Sequence, residues 1–151
     1  MKKTFLITHL TGIIMILFSI YNYALSAPAL LELREYRDRV CYDGDTCYVH
    51  MAVLPESLQK MSVRILGIDT PEIRGAECEK EKELGLKART FANKVFREAR
   101  NIKFSDLKWD KYGGRILSNV YIDGYLYADM IINEQLAKPY DGGKKEGWCD
   151  E

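Results

Sequence analysis

The stretch EKEKELGLKARTFANKVFREAR, residues 79–100, decides how the rest of the chain is read. Its Leu84, Ala88, Phe91, Ala92, Val95, Phe96 and Ala99 recur at spacings of three and four, which predicts one long amphipathic helix. The segments around it read as short strands. Upstream, residues 31–42 and 46–54 predict two strands joined at Asp43-Gly44, a dipeptide suited to the positive φ angles of a tight hairpin, and residues 61–68 predict a third. Downstream, residues 102–107 and 115–122 predict two more strands, followed by an Asp123-Gly124 turn, a short strand at 125–127 and a short helix over 129–136. Strands, then a helix inserted before the last strands, make a mainly β, α+β chain compatible with an OB barrel. Periodicity alone does not separate that from other small α+β folds.

Length bounds the answer to one domain, since 151 residues can bury a single core. Hydrophobic residues at 47% and charged residues at 29% are the proportions of a folded soluble protein and exclude a disordered or fibrous chain. The N-terminus reads separately. Lys2 and Lys3 precede an apolar run over residues 5–20 that closes on Ala24 and Ser26, the pattern of a secretory signal peptide cut after Ser26. An uncleaved anchor is the competing reading, against which stand His9, Asn22 and the small residues that end the run. The expected organisation is therefore a signal peptide over residues 1–26 and one exported domain over 27–151, periplasmic or secreted.

The mature segment has 20 basic and 22 acidic side chains, because residues 1–26 hold two lysines and no acid. A net charge near −2 gives no global basic field, so binding a polyanion must rest on local positive charge or a bound cation. Cys41, Cys47, Cys78 and Cys149 all follow the signal, and an even number in an exported chain predicts disulfides, with three possible connectivities. Their irregular gaps fit no zinc pattern, and His50 is the only histidine of the mature segment.

Three segments carry candidate chemistry. Asp43-Gly44-Asp45-Thr46 supplies a turn, yet turn geometry does not call for the second carboxylate, Asp45. Val63 through Glu72 runs a strand into a proline turn: Arg64 offers a planar fork of donors for a phosphate, Asp69 a hard oxygen for a metal, and Glu72 a further carboxylate. Asp110-Lys111-Tyr112-Gly113-Gly114-Arg115 reads as a glycine-rich loop that delivers a second arginine to the start of a strand. An ordinary turn, ion pair and solvated loop account for each segment taken singly.

In combination, DGDT, VRILGIDTPE, the helix after it, DKYGGR and Asn133-Glu134-Gln135-Leu136-Ala137 resemble the staphylococcal nuclease (thermonuclease) family over about residues 31–140. The resemblance implies a five-stranded OB-fold barrel and calcium-dependent cleavage of DNA and RNA to 3′-phosphate products. It implies that Asp45 and Asp69, with the carbonyl of Thr70, hold one calcium ion. Glu72 falls at the catalytic glutamate and Arg64 and Arg115 at the two phosphate-binding arginines; Tyr112 and Tyr140 are the substrate-binding candidates. Partners are then single- and double-stranded DNA and RNA, bound by a monomer with no stable protein partner. Carboxylates, a carbonyl and water make a hard site suited to calcium rather than zinc or copper.

Two departures stand out. Gly113-Gly114 carries one glycine more than the DKYGR form of the type member, and the long terminal helix gives way to Asp141-Gly142-Gly143 and a Cys149-bearing tail. The expected bridges are Cys41 to Cys47, across the hairpin, and Cys78 to Cys149, which would order that tail. A noncatalytic OB-fold nucleic-acid-binding module is the alternative function, but degeneration should erase the acids first and all are present. A calcium-binding structural protein would leave Arg64, Arg115 and Glu72 without a task.

Overall fold

The computed structural model describes residues 31–111 and 113–149. The expected signal segment and Tyr112 lie outside the described residues. In chain order the elements are β1 (Glu32–Leu33), β2 (Thr46–His50), a 3-10 turn at Glu56–Leu58, β3 (Lys60–Ile65), β4 (Gly67–Asp69) and α1 (Glu79–Glu98). Then come β5 (Ile102–Trp109), β6 (Arg115–Ile122), β7 (Tyr125–Leu126), α2 (Tyr127–Asn133) and β8 (Lys138–Tyr140).

The strands form a curled half-barrel in the order β1-β2-β3-β6-β5, with β7 also on β6, and a separate pair β4-β8. Only β3 and β6 run parallel in the large sheet. With one long helix and one short one, this is a mixed α+β fold of the expected OB type. Alternation sorts the residues into faces. Cys47, Val49, Val63, Ile65, Ile116, Val120 and Ile122 point inward, where Ala88, Ala92 and Phe96 of α1 and Tyr127 and Ile131 of α2 close the core. The opposite face carries Thr46, Tyr48, Ser62, Arg64, Arg115 and Leu117.

Several elements differ from expectation, each for a local reason. The first strand is only two residues long, because the chain turns through positive φ at Arg37 and Asp38; it rejoins the sheet at a single bridge between Cys41 and Cys47. The third strand breaks at Gly67, whose φ of +83° redirects the chain into β4. Strand β5 runs on to Trp109 through a bulge between Ser105 and Lys108, where Asp106 takes a positive φ. Tyr127 begins α2 instead of ending a strand. Lys138–Tyr140, a strand containing proline, had no periodic signal; it survives by pairing only with the short β4.

Both expected disulfides form, Cys41–Cys47 with Cα atoms 3.8 Å apart and Cys78–Cys149 with Cα atoms 6.0 Å apart. The second closes a separation of 71 residues, for which chain entropy gives an upper figure of about 4 kcal/mol.

Helix α1 ties this sheet to its loops through a buried asparagine that the apolar stripe did not reveal. Asn93 Oδ1 accepts from the N–H groups of Val40 (2.7 Å) and Cys41 (3.1 Å), and Nδ2 donates to the carbonyls of Cys41 (3.0 Å) and Arg89 (2.9 Å). Asn93→Ala should strand two backbone donors at about 1–3 kcal/mol each. Denaturant unfolding checks it, and a loss below about 1 kcal/mol would contradict the assignment.

Candidate active site

The Asp43–Thr46 loop is shaped by side-chain hydrogen bonds, not by glycine conformation. Asp43 Oδ1 accepts from the N–H groups of Asp45 (3.2 Å) and Thr46 (2.8 Å), an Asx turn. Gly44 does not take the positive φ expected of it. It is required for packing: a Cβ there would lie 2.7 Å from Thr70 Cγ2 and 2.9 Å from Ala88 Cβ. Its carbonyl accepts from the fully buried Tyr127 hydroxyl at 2.7 Å. The loop is thus clamped between α1, α2 and the segment after β4, with Asp45 turned inward and 5% exposed.

Asp45 and Asp69 come together around Arg64. Asp45 Oδ2 accepts from Thr70 N (3.1 Å) and Thr70 Oγ1 (2.9 Å) and faces Arg64 Nη1 at 2.5 Å; Arg64 Nη2 lies 3.6 Å from Asp69 Oδ1. Thr70 therefore spends both donors on Asp45. Asp69 is 4% exposed, and no hydrogen bond reaches its buried Oδ1. That oxygen does meet a charge, the Nζ of Lys145 at 2.8 Å, which lies within ion-pair distance without hydrogen-bond geometry. Lys145 also reaches Glu72 Oε1 at 3.2 Å.

Glu72 is held from beneath by α1. A Cβ on Gly85 would lie 2.7 Å from the Pro71 carbonyl oxygen and 2.9 Å from that of Glu72, so the helix needs glycine where this loop crosses it. Glu81, buried in the first turn, accepts from Glu72 N (3.1 Å) through Oε1 and from Glu77 N (2.7 Å) through Oε2. It works as an extended version of a capping-box acid. Sequence reading missed Glu81 and Gly85; their signal was a charged residue and a glycine among helix formers.

The extra glycine does not displace Arg115 from its face. Gly113 and Gly114 both take positive φ, Gly113 N donates to Asp110 O, and Asp110 N donates to Arg115 O, so the loop closes on itself. The register pairs Ser62 with Arg115 and Arg64 with Leu117, which puts both arginines on one face of neighbouring strands, one two-residue step apart. Here Arg115 is engaged by Asp110, with Nε 2.6 Å from Oδ2. Tyr140 sits on β8 beside Gly67 and donates its hydroxyl to Gly143 O at 3.0 Å, bracing the tail.

A hard cation fits this donor set. Two buried carboxylates face one another across Arg64, and one of their oxygens is buried without a hydrogen bond. Among the described residues, no group of three or more His, Cys, Asp or Glu stands ready to hold an ion alone, so carbonyl and water oxygens would have to complete the shell.

The OB-type fold thus gathers two acids around Arg64 and sets Arg64 and Arg115 on one face of the sheet. A family model described as staphylococcal nuclease homologue matches residues 62–141, more than half of the chain, and the chain belongs to that family. No curated protein matches it at a significant level. Membership of this family, which is typically metal-dependent, points to a nuclease or nucleic-acid-binding function.

Burial, and then the neighbouring Asp45 carboxylate, push Asp43 up to about 7. Burial likewise raises Tyr127 well above its ordinary value, aided by Asp45 and Asp43. An acid whose folded pKa exceeds its unfolded value near 3.9 favours the fold only while protonated. Asp43 should thus stabilise the metal-free protein most below pH 4 and lose that contribution as pH rises from about 4 to about 7. In chelator, unfolding free energies of wild type and Asp43→Asn should diverge across that window, the variant gaining relative to wild type; parallel profiles would refute the assignment.

Proposed function

We propose that this chain is an exported, calcium-dependent endonuclease that hydrolyses phosphodiester bonds of DNA and RNA and leaves 3′-phosphates, acting as a monomer. The observation that carries the reading is the convergence of Asp45, Asp69, Arg64 and Glu72 at one place, with Arg115 on the same face of the sheet. Two disulfides suit an oxidising compartment, which supports export.

The residues divide the work. Asp45 and Asp69, with the Thr70 carbonyl, would hold the ion. When bound, calcium supplies charge neutralisation and polarisation of the scissile phosphate. Arg64 and Arg115 exchange their present carboxylate partners for phosphate oxygens and stabilise the charge that builds in the pentacovalent transition state. Glu72, 47% exposed at its side chain, takes a proton from water as the water oxygen bonds to phosphorus. The bond from phosphorus to the 5′-oxygen breaks, and that oxygen takes up a proton from solvent.

Residues 27–151 should cut plasmid DNA and RNA in calcium and stop when the ion is chelated; intact plasmid in calcium would favour the noncatalytic module. Glu72→Gln should lower turnover by about 10² to 10⁴ while calcium affinity changes much less. Wild-type turnover in that variant would mean the water is activated elsewhere.

Arg64→Lys and Arg115→Lys should both be severely impaired in single-turnover cleavage, because one ammonium cannot reproduce a bidentate grip on phosphate. An unimpaired Arg115→Lys beside a crippled Arg64→Lys would remove Arg115 from the site.

A further inference from the structure

Lys145 belongs to the tail beyond β8 and takes no part in the chemistry assigned to Asp45, Asp69, Arg64, Glu72 and Arg115. Its side chain is half-exposed, yet its ammonium is lodged between Asp69 Oδ1 at 2.8 Å and Glu72 Oε1 at 3.2 Å. Burial works to lower its pKa, but Asp69 and Glu72 outweigh that and hold it above the ordinary lysine value.

The tail around Lys145 is fastened on both sides. Before it, Tyr140 Oη donates to Gly143 O at 3.0 Å, and Gly143 N donates to Asp141 Oδ1 at 3.0 Å. After it, Lys138 Nζ donates to Gly147 O at 2.9 Å and lies 4.8 Å from the centre of the Trp148 ring. Cys149 is then bonded to Cys78, the residue that caps α1. A lysine presented this way meets the acids at the high effective concentration of an intramolecular ligand.

We propose that Lys145 is a resident cation of the active site, which occupies the space between Asp69 and Glu72 and competes there with the divalent ion. The inference rests on the calcium reading. Calcium binds carboxylate oxygens at about 2.3–2.6 Å, so an ion on Asp69 Oδ1, which lies 2.8 Å from the ammonium, would be no more than about 5.4 Å from that charge, close enough for strong like-charge repulsion. The ammonium must withdraw before the ion settles. Meanwhile it keeps the buried Asp69 compensated, as Arg64 does for Asp45.

Calorimetric titration with calcium at fixed ionic strength, bridges intact, tests this on wild type, Lys145→Met, Lys145→Arg and Lys144→Met. Lys145→Met should bind calcium roughly tenfold more tightly, equivalent to about 1.4 kcal/mol. Lys145→Arg, which keeps the charge, should stay near wild type. Lys144→Met removes the same formal charge one residue away and should change affinity less than about twofold. Equal or weaker binding by Lys145→Met overturns the proposal, as does an arginine variant that behaves like methionine or a Lys144 variant that tightens equally. Were calcium to bind neither wild type nor Lys145→Met, the calcium reading itself would fall.

Discussion

The close approach of helix α1 to three separate loops is the constraint on which the rest of this structure depends. Gly85 admits the Pro71 and Glu72 backbone, Ala88 admits Gly44, and Asn93 binds Val40 and Cys41. Glu81, one turn before Gly85, fixes Glu72 and Glu77 by their N–H groups. Glu81, Gly85 and Ala88 follow one another at spacings of four and three, so a single rigid rod sets the loop of Asp45 and the loop of Glu72 relative to each other. Glycine within a helix costs about 1 kcal/mol relative to alanine, yet alanine at 85 would press on backbone oxygens that cannot swing aside.

Charge compensation is the second organising feature. Asp45 and Asp69 are almost fully buried, and burying a lone carboxylate costs several kcal/mol. Arg64 answers both, Lys145 answers Asp69 and Glu72, and Asp110 engages Arg115. Each of these arginines thus has an internal carboxylate partner that holds its guanidinium in place. The positive groups are local, in keeping with a chain whose formal net charge is zero.

The segment after β8 also contributes to the site. Strand β8 pairs with β4, the strand that carries Asp69, and the segment beyond it returns to Cys78 at the start of α1. Between those two anchors it passes the acids closely enough for Lys145 to touch them.

Residues with a local signature were legible in the sequence. The apolar stripe gave α1 nearly to its ends, the strand expected over 115–122 is β6, and positive φ at both Asp123 and Gly124 realises the turn read from that dipeptide. Asp45, Arg64, Asp69, Glu72 and Arg115 were nominated because their chemistry exceeds what their turns and strands require. Only the tertiary structure could decide the rest. Gly44 looked like a turn glycine and is a packing glycine, because Thr70 and Ala88 approach it from distant parts of the chain. Glu81 and Asn93 are polar residues outside the apolar set that defined the helix, yet they are buried, because the N–H groups they satisfy belong to loops the helix pattern does not contain. Lys145 carried no sequence signal: its place between two carboxylates depends on how the tail that ends at the Cys78–Cys149 bridge, across a sequence separation of 71, crosses the site. Hydrogen-bonding periodicity is written along the chain, whereas close approach and charge pairing depend on which segments meet.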